Sequence, residues 1–264
     1  MKKSIKDDPK YKIKVILPIN QEAADMYIDD VMQEVEEVLA PDFDFEVVGL
    51  DQKATSFIQS RKSEEWNAPF ISEVAIQAEK DGFDGIFISC FGEPGVEALR
   101  EQLKIPIVGG FFPSVSQAQL VCYKYAIISV VESVLPMISY IGNAKEVDSR
   151  IVSYRQIGVP VADLTDINLV IKKTVEQATI AIETDGAEAI VLGCTGMLGV
   201  AEPVQSALSA HYSSLGGEHC NVPVIAPTAA AITMLQSLIR SKTYHSNLTY
   251  YPPTEQYPAP STKE

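Results

Sequence analysis

One pattern occurs twice in this chain and limits what it can fold into. Asp81–Gly95 reads DGFDGIFISCFGEPG and Asp185–Gly199 reads DGAEAIVLGCTGMLG. Both run Asp-Gly, then, one residue on, an acidic residue, a small residue, Ile, two apolar residues, a small residue and Cys. Gly then recurs at the second and fifth places after the Cys, and the offset is constant at 104 residues, 194 less 90. The flanks echo it more loosely: YKIKVILP with YKYAIISV, and IPIVGG with VPVIAP. The chain therefore reads as two similar α/β lobes, each ending a strand in a thiol.

Ile86, Phe87 and Ile88 are apolar without a polar alternation, as in a parallel strand buried on both faces. Gly92, Pro94 and Gly95 allow a tight turn after Cys90, and Val96–Gln102 can continue as a helix. In open α/β sheets, ligands bind at such strand ends. From one copy alone, a buried cysteine packing as a small hydrophobe is an equally good reading. The second copy favours a functional one.

At 264 residues and 46% hydrophobic content the chain can bury a sizeable core. A formal charge of −14 lacks the basic footprint of a nucleic-acid binder. Lys2 and Lys3 lead into polar residues rather than an apolar core, so no signal peptide is expected, and the apolar run near 190–201 is too short for a membrane span. The four cysteines make no disulfide framework. A cytoplasmic protein with free thiols is the expectation.

The pattern predicts strands at 12–17, 45–48, 86–88 and 105–108, with helices at 21–39, 69–80 and 96–102. Further on it predicts strands at 125–130, 151–155, the second cysteine run and 222–226, with helices at 131–141, 167–185 and 228–239. Residues 1–115 form the expected first lobe, completed by a returning helix at 228–240. Residues 116–227 form the second, and 241–264, rich in Pro, Tyr and Ser, an extended tail, disordered or laid across a partner subunit.

Two thiols facing each other across a cleft permit specific chemistry. A carbon acid held between them can lose its proton to one thiolate and regain one from the opposite thiol, inverting its configuration without a cofactor. Helix N-termini after each cysteine are expected to favour the thiolate, and backbone N–H groups there to hold a developing enolate oxygen.

LGCTGM at 192–197, CFGEPGVEALRE at 90–101 and VPVIAPTAAAI at 222–232 resemble the hydantoin and allantoin racemases, a branch of the aspartate/glutamate racemase superfamily. The resemblance extends over roughly residues 12 to 240. It implies two pseudo-symmetric, Rossmann-like lobes with parallel sheets, an active site in the cleft between them, and Cys90 and Cys194 as the acid/base pair. It also implies a small-molecule substrate, no cofactor or metal, no nucleic-acid or membrane partner, and a homo-oligomer. Amino-acid racemases of the superfamily carry a histidine after the second Cys-Thr, and Gly196 stands there instead. The first strand ends in LPIN rather than Asn-Pro-Asn-Thr, which leaves Asn20 as the candidate for the family's substrate asparagine. Ser129 is followed by Val130 where the family has two threonines, and Ala226 replaces an aspartate. Phe91, Gly92, Ser129, Thr195 and Gly196 are the other expected substrate contacts.

The rival enzyme readings are an Asp/Glu racemase or a cis-trans isomerase using the same thiols. A decarboxylase of the superfamily needs only one of them. From another class, a ligand-binding protein that kept the fold is the alternative. Cys122 and Cys220 lie outside the repeat and are expected to pack, and His211, His219 and Cys220 are too irregularly spaced for zinc.

Overall fold

The computed structural model of the chain describes residues 2–3, 10–215 and 220–254. Its first sheet has the order β1-β3-β2-β4-β5, built from Lys2–Lys3 (β1), Tyr11–Asn20 (β2), Phe43–Leu50 (β3), Gly85–Ile88 (β4) and Ile107–Val108 (β5). All neighbours are parallel except the short antiparallel edge β1. The second sheet, β7-β6-β8-β9, contains Tyr125–Ser129 (β6), Ile151–Gln156 (β7), Ala189–Leu192 (β8) and Val224–Ile225 (β9), all parallel. Setting β1 aside, the two sheets share one strand order. Ile86 and Phe87 pair with Ile107 and Val108 as Ile190 and Val191 pair with Val224 and Ile225.

The continuous apolar runs serve both faces of the first sheet. Val15, Val47 and Phe87 join one core with Ile28, Val31 and Val35 of helix α2 (Ile28–Val38). Ile16, Ile86 and Ile88 join another with Ile71 and Ala75 of α3 (Arg61–Lys80) and Leu99 of α4 (Val96–Gln102). The second sheet lies in a single core with α7 (Ile167–Glu183) and α8 (Ala201–Ser214).

Two helices exchange sheets. Helix α5 (Phe111–Val121) buries Phe111, Val115 and Ala118 in the second core, and α9 (Pro227–Ser241) returns to bury Ile232, Leu235 and Ile239 in the first. Gly85 permits that return. A β-carbon there would stand 2.9 Å from Leu235 Cδ1 and 2.8 Å from Ile239 Cδ1. A boundary at 115 would fall inside α5, whose apolar face belongs with the second sheet.

Other boundaries also differ from the sequence expectation. The helix at 21–39 breaks into α1 (Gln21–Ala24) and α2, with a turn at Asp25–Tyr27. Helix α3 starts at Arg61 rather than Pro69, because Ser60 and Ser63 form a reciprocal capping box and Pro69 is accommodated inside the helix. The 131–141 segment is a 3₁₀ turn followed by α6 (Leu135–Ala144). Helix α5 was not expected, and the helix expected after Cys194 begins only at Ala201, as α8. After α9 the chain stays on itself: His245 Nε2 accepts a hydrogen bond from Ile107 N at 3.1 Å, and the Tyr250 hydroxyl meets Arg100 and Glu97 at 3.2 Å. The tail beyond Thr254 lies outside the described residues. Among the described residues no helix is long and apolar enough to cross a membrane.

Candidate active site

Within each sheet the strand order switches sides between the two central parallel strands, β2 and β4 or β6 and β8, so a crevice opens at their C-terminal ends. Cys90 follows β4 and Cys194 follows β8. Both are partly exposed and both line the same two adjoining cavities. The larger, about 610 Å³ including space open to solvent, is walled by Leu17, Ile19, Tyr27, Phe57, Ile58, Val161, Leu164 and Leu198. The smaller, about 390 Å³, is bounded by Phe91, Gly92, Ser129, Val130, Met137, Ile138 and Gly193. Thr195 borders both and ties the cysteine loops together, its hydroxyl donating to Ser89 O at 2.9 Å.

The second residue after each cysteine turns its backbone N–H toward the sulfur. Gly196 N donates to Cys194 Sγ at 3.4 Å, and Gly92 N acts likewise on Cys90. Helix N-termini contribute less than expected, because α4 begins only at Val96 and α8 at Ala201. Burial dominates instead. It pushes the Cys194 thiol up to about 11 against the pull of the Gly196 and Met197 N–H groups. Burial, then the charge of Glu64, raises Cys90 further still, with Gly92 N–H opposing. Burial thus favours the thiol form of both cysteines, against the expectation that helix N-termini would favour the thiolate.

The remaining expected contacts divide. Phe91, fixed edge-on to Phe111 at 5.4 Å, lines the smaller cavity with Gly92 and Ser129, and Gly196 lines the larger. The Ser129 hydroxyl is already engaged, donating to Gly193 O at 2.8 Å. Asn20 does not line either cavity. Its Oδ1 caps α1 by accepting from Ala23 N at 2.9 Å, while its Nδ2 donates to Ala54 O and Ser56 Oγ. The asparagine thus anchors the loop that carries Ser56, Phe57 and Ile58 into the cavity wall.

Several residues went unmarked by the sequence. Asn67, fully buried on α3, donates to Pro18 O at 2.8 Å and accepts from Thr55 N at 2.9 Å, holding the end of β2 to the same loop. Gln59 reaches the other lobe, its carbonyl accepting from Ser133 Oγ and its side chain from Val161 N. Tyr27, exposed to the cavity by the break between α1 and α2, and Glu64, on the first turn of α3, complete the set. Tyr27 required the helix break, and Glu64 a helix reaching back to Arg61; the sequence reading had neither.

Cys122 donates to Ala118 O at 3.2 Å and Cys220 packs against the second core, both away from the cavities. Among the described residues no three His, Cys, Asp or Glu side chains converge so as to hold a metal ion; His219 lies outside them.

A family model described as Asp/Glu/Hydantoin racemase matches residues 16–235. A hydantoin racemase from Pseudomonas sp. is 27% identical over 218 residues, covering 81% of this chain and 83% of that one. Another from Rhizobium meliloti is 29% identical over 183 residues, 69% of this chain and 71% of that one. Among solved structures, an allantoin racemase from Klebsiella pneumoniae superposes with a TM-score of 0.83 at 25% identity, covering 93% of this chain and 95% of that one.

Proposed function

The chain belongs to the Asp/Glu/hydantoin racemase family, and from that premise we propose that it racemises hydantoins bearing an apolar substituent, using Cys90 and Cys194 as its two proton carriers. The observation that carries the substrate choice is the lining of the two thiol cavities. Among the described residues it contains no Lys, Arg or His, and its larger part is walled by aliphatic and aromatic side chains. An acyclic dicarboxylate would bury two charges there without a counter-charge, at a cost of several kcal/mol per ion. A neutral ring with an apolar arm meets no such penalty. Allantoin's polar ureido arm would likewise find few partners along Leu17, Ile19, Phe57 and Val161.

The chemistry follows from the two thiols. A thiolate formed at these half-buried cysteines, whose burial raises the thiol pKa, is a strong base, matched to the weakly acidic C–H beside the ring carbonyl. One cysteine removes that proton, the electron pair moves onto the carbonyl oxygen, and the other cysteine delivers its proton to the opposite face of the carbon. The pair is left with its protonation exchanged, ready for the product's mirror image. The Gly92 and Gly196 N–H groups, now turned to the sulfurs, are backbone donors that can serve the enolate oxygen.

The four cysteines are free, and a reducing cytoplasm would keep the pair as thiols. Assembly as a homo-oligomer belongs to the same proposal and is read by sedimentation velocity. The activity test is chiral chromatography of single enantiomers. Benzyl- or isobutyl-substituted hydantoins are expected to racemise, with allantoin slower and aspartate or glutamate unchanged. Racemisation of glutamate in preference to the substituted hydantoins would overturn the substrate reading.

A further inference from the structure

Apart from the two cysteines, Glu64 is the single ionisable side chain lining the smaller cavity. It occupies the fourth position of α3, and its Oε1 is buried without a hydrogen-bond partner among the described residues. Gly92 makes room for it, because Oε1 takes the place a β-carbon of residue 92 would fill. Cys90 Sγ lies 3.8 Å from that same point. The matched position in the other lobe is different. Beside Gly196, a β-carbon would lie 3.5 Å from Cys194 Sγ and 3.1 Å from Leu164 Cδ1. The repeat that makes the thiols alike therefore places a carboxyl beside one and an aliphatic side chain beside the other.

We propose that Glu64 is a positioning residue that breaks the symmetry of the pair: its charge keeps the proton on Cys90 and leaves Cys194 as the thiol that ionises first. This rests on the reading of the two cysteines as proton carriers. A negative charge near a thiol disfavours the thiolate, and the effect grows where burial reduces screening by water. The other charged groups are few. Arg61 and Glu65, on the same helix, act on Glu64 in opposite directions. Glu93 and Cys194 act on Cys90 besides Glu64, and Tyr27, itself near Asp163, stands by Cys194. Burial raises the Glu64 carboxyl to about 7, so its influence on Cys90 is itself set by pH in the neutral range.

The test is iodoacetamide labelling of the substrate-free protein from pH 6 to 10, with Cys90 and Cys194 peptides quantified by mass spectrometry. In the unmodified chain Cys194 is expected to label faster. Glu64→Gln should raise the Cys90 rate about 3- to 10-fold, a shift of up to one pKa unit, while Cys194 changes less than about twofold, and Glu64→Asp should largely restore the slow rate. Should Glu64→Gln not fold, the unmodified chain carries the test: the Cys90 rate should rise less steeply with pH near 7, where Glu64 ionises, than Cys194 does. Equal response of both cysteines to Glu64→Gln, faster Cys90 labelling in the unmodified chain, or parallel profiles through pH 7 would overturn the proposal. If these fail while Cys90 and Cys194 variants still lose racemisation, only the role of Glu64 falls. If a Cys90 variant racemises normally, the pair falls and this role with it.

Discussion

Thr195 joins the two lobes through one hydroxyl, and its partner Ser89 O leaves the strand just before Cys90. Thr195→Val should keep the volume but remove the donor, lowering unfolding free energy by about 1 kcal/mol in a urea titration. It should also reduce kcat more than it raises KM, because the spacing of the cysteines depends on that bond. A second residue-scale prediction concerns a buried ion pair. Lys14 Nζ and Glu46 Oε1 lie 2.6 Å apart on adjacent strands, each residue only 7% exposed. Glu46→Ala strands the ammonium and should cost about 3–5 kcal/mol, whereas replacing both by apolar residues of similar size should recover most of it. At this scale the sequence revealed what the repeat duplicated. Cys90, Gly92, Cys194 and Gly196 were legible because two copies agreed; Lys14 and Glu46 were not, because a lone charge in a strand pattern reads as an exposed face.

Helix α3 illustrates where elements escaped the sequence. Pro69 is a natural first-turn residue, and placing the helix start there left Glu64 and Asn67 in an imagined loop. The real start is set by Ser60, whose hydroxyl accepts from Ser63 N at 3.2 Å while Ser63 Oγ reaches back to Ser60 N at 3.2 Å. Ser60→Ala should destabilise the protein by about 1 kcal/mol, seen as a lower Tm. It should also loosen Glu64, so that Cys90 labelling quickens in this uncapped variant although Glu64 itself is unchanged. The cysteine strands were legible because both faces of each sheet are buried, which gives unbroken apolar runs. Helix α5 and the extent of α8 were not, since their small and polar residues, FFPSVSQAQLV and AEPVQSALSAHYSS, carry weak periodicity and are held by the cores they cover.

The whole molecule is two copies of one α/β plan made unequal at their meeting point. Helices α5 and α9 cross between the sheets, Gln59 and Thr195 bond across the cleft, and Lys145 pairs with Glu97 from the opposite side. These links set how the two cysteine loops sit about the cavities they share. The repeat foretold two lobes and a thiol on each. The last helix was expected to return to the first lobe, as α9 does; the crossing of α5, which leaves no mark on the motif, and the apolar wall contributed by residues outside it were not foretold. The most direct test of the account follows each proton separately. Cys90→Ser and Cys194→Ser are each given single enantiomers of a slowly racemising substituted hydantoin in deuterated water, with spontaneous exchange subtracted. Both variants should lose inversion by at least about 100-fold, yet each should wash deuterium into one enantiomer with retention, and the two should choose opposite enantiomers. Racemisation near the original rate in either variant, or exchange into the same enantiomer by both, would contradict it.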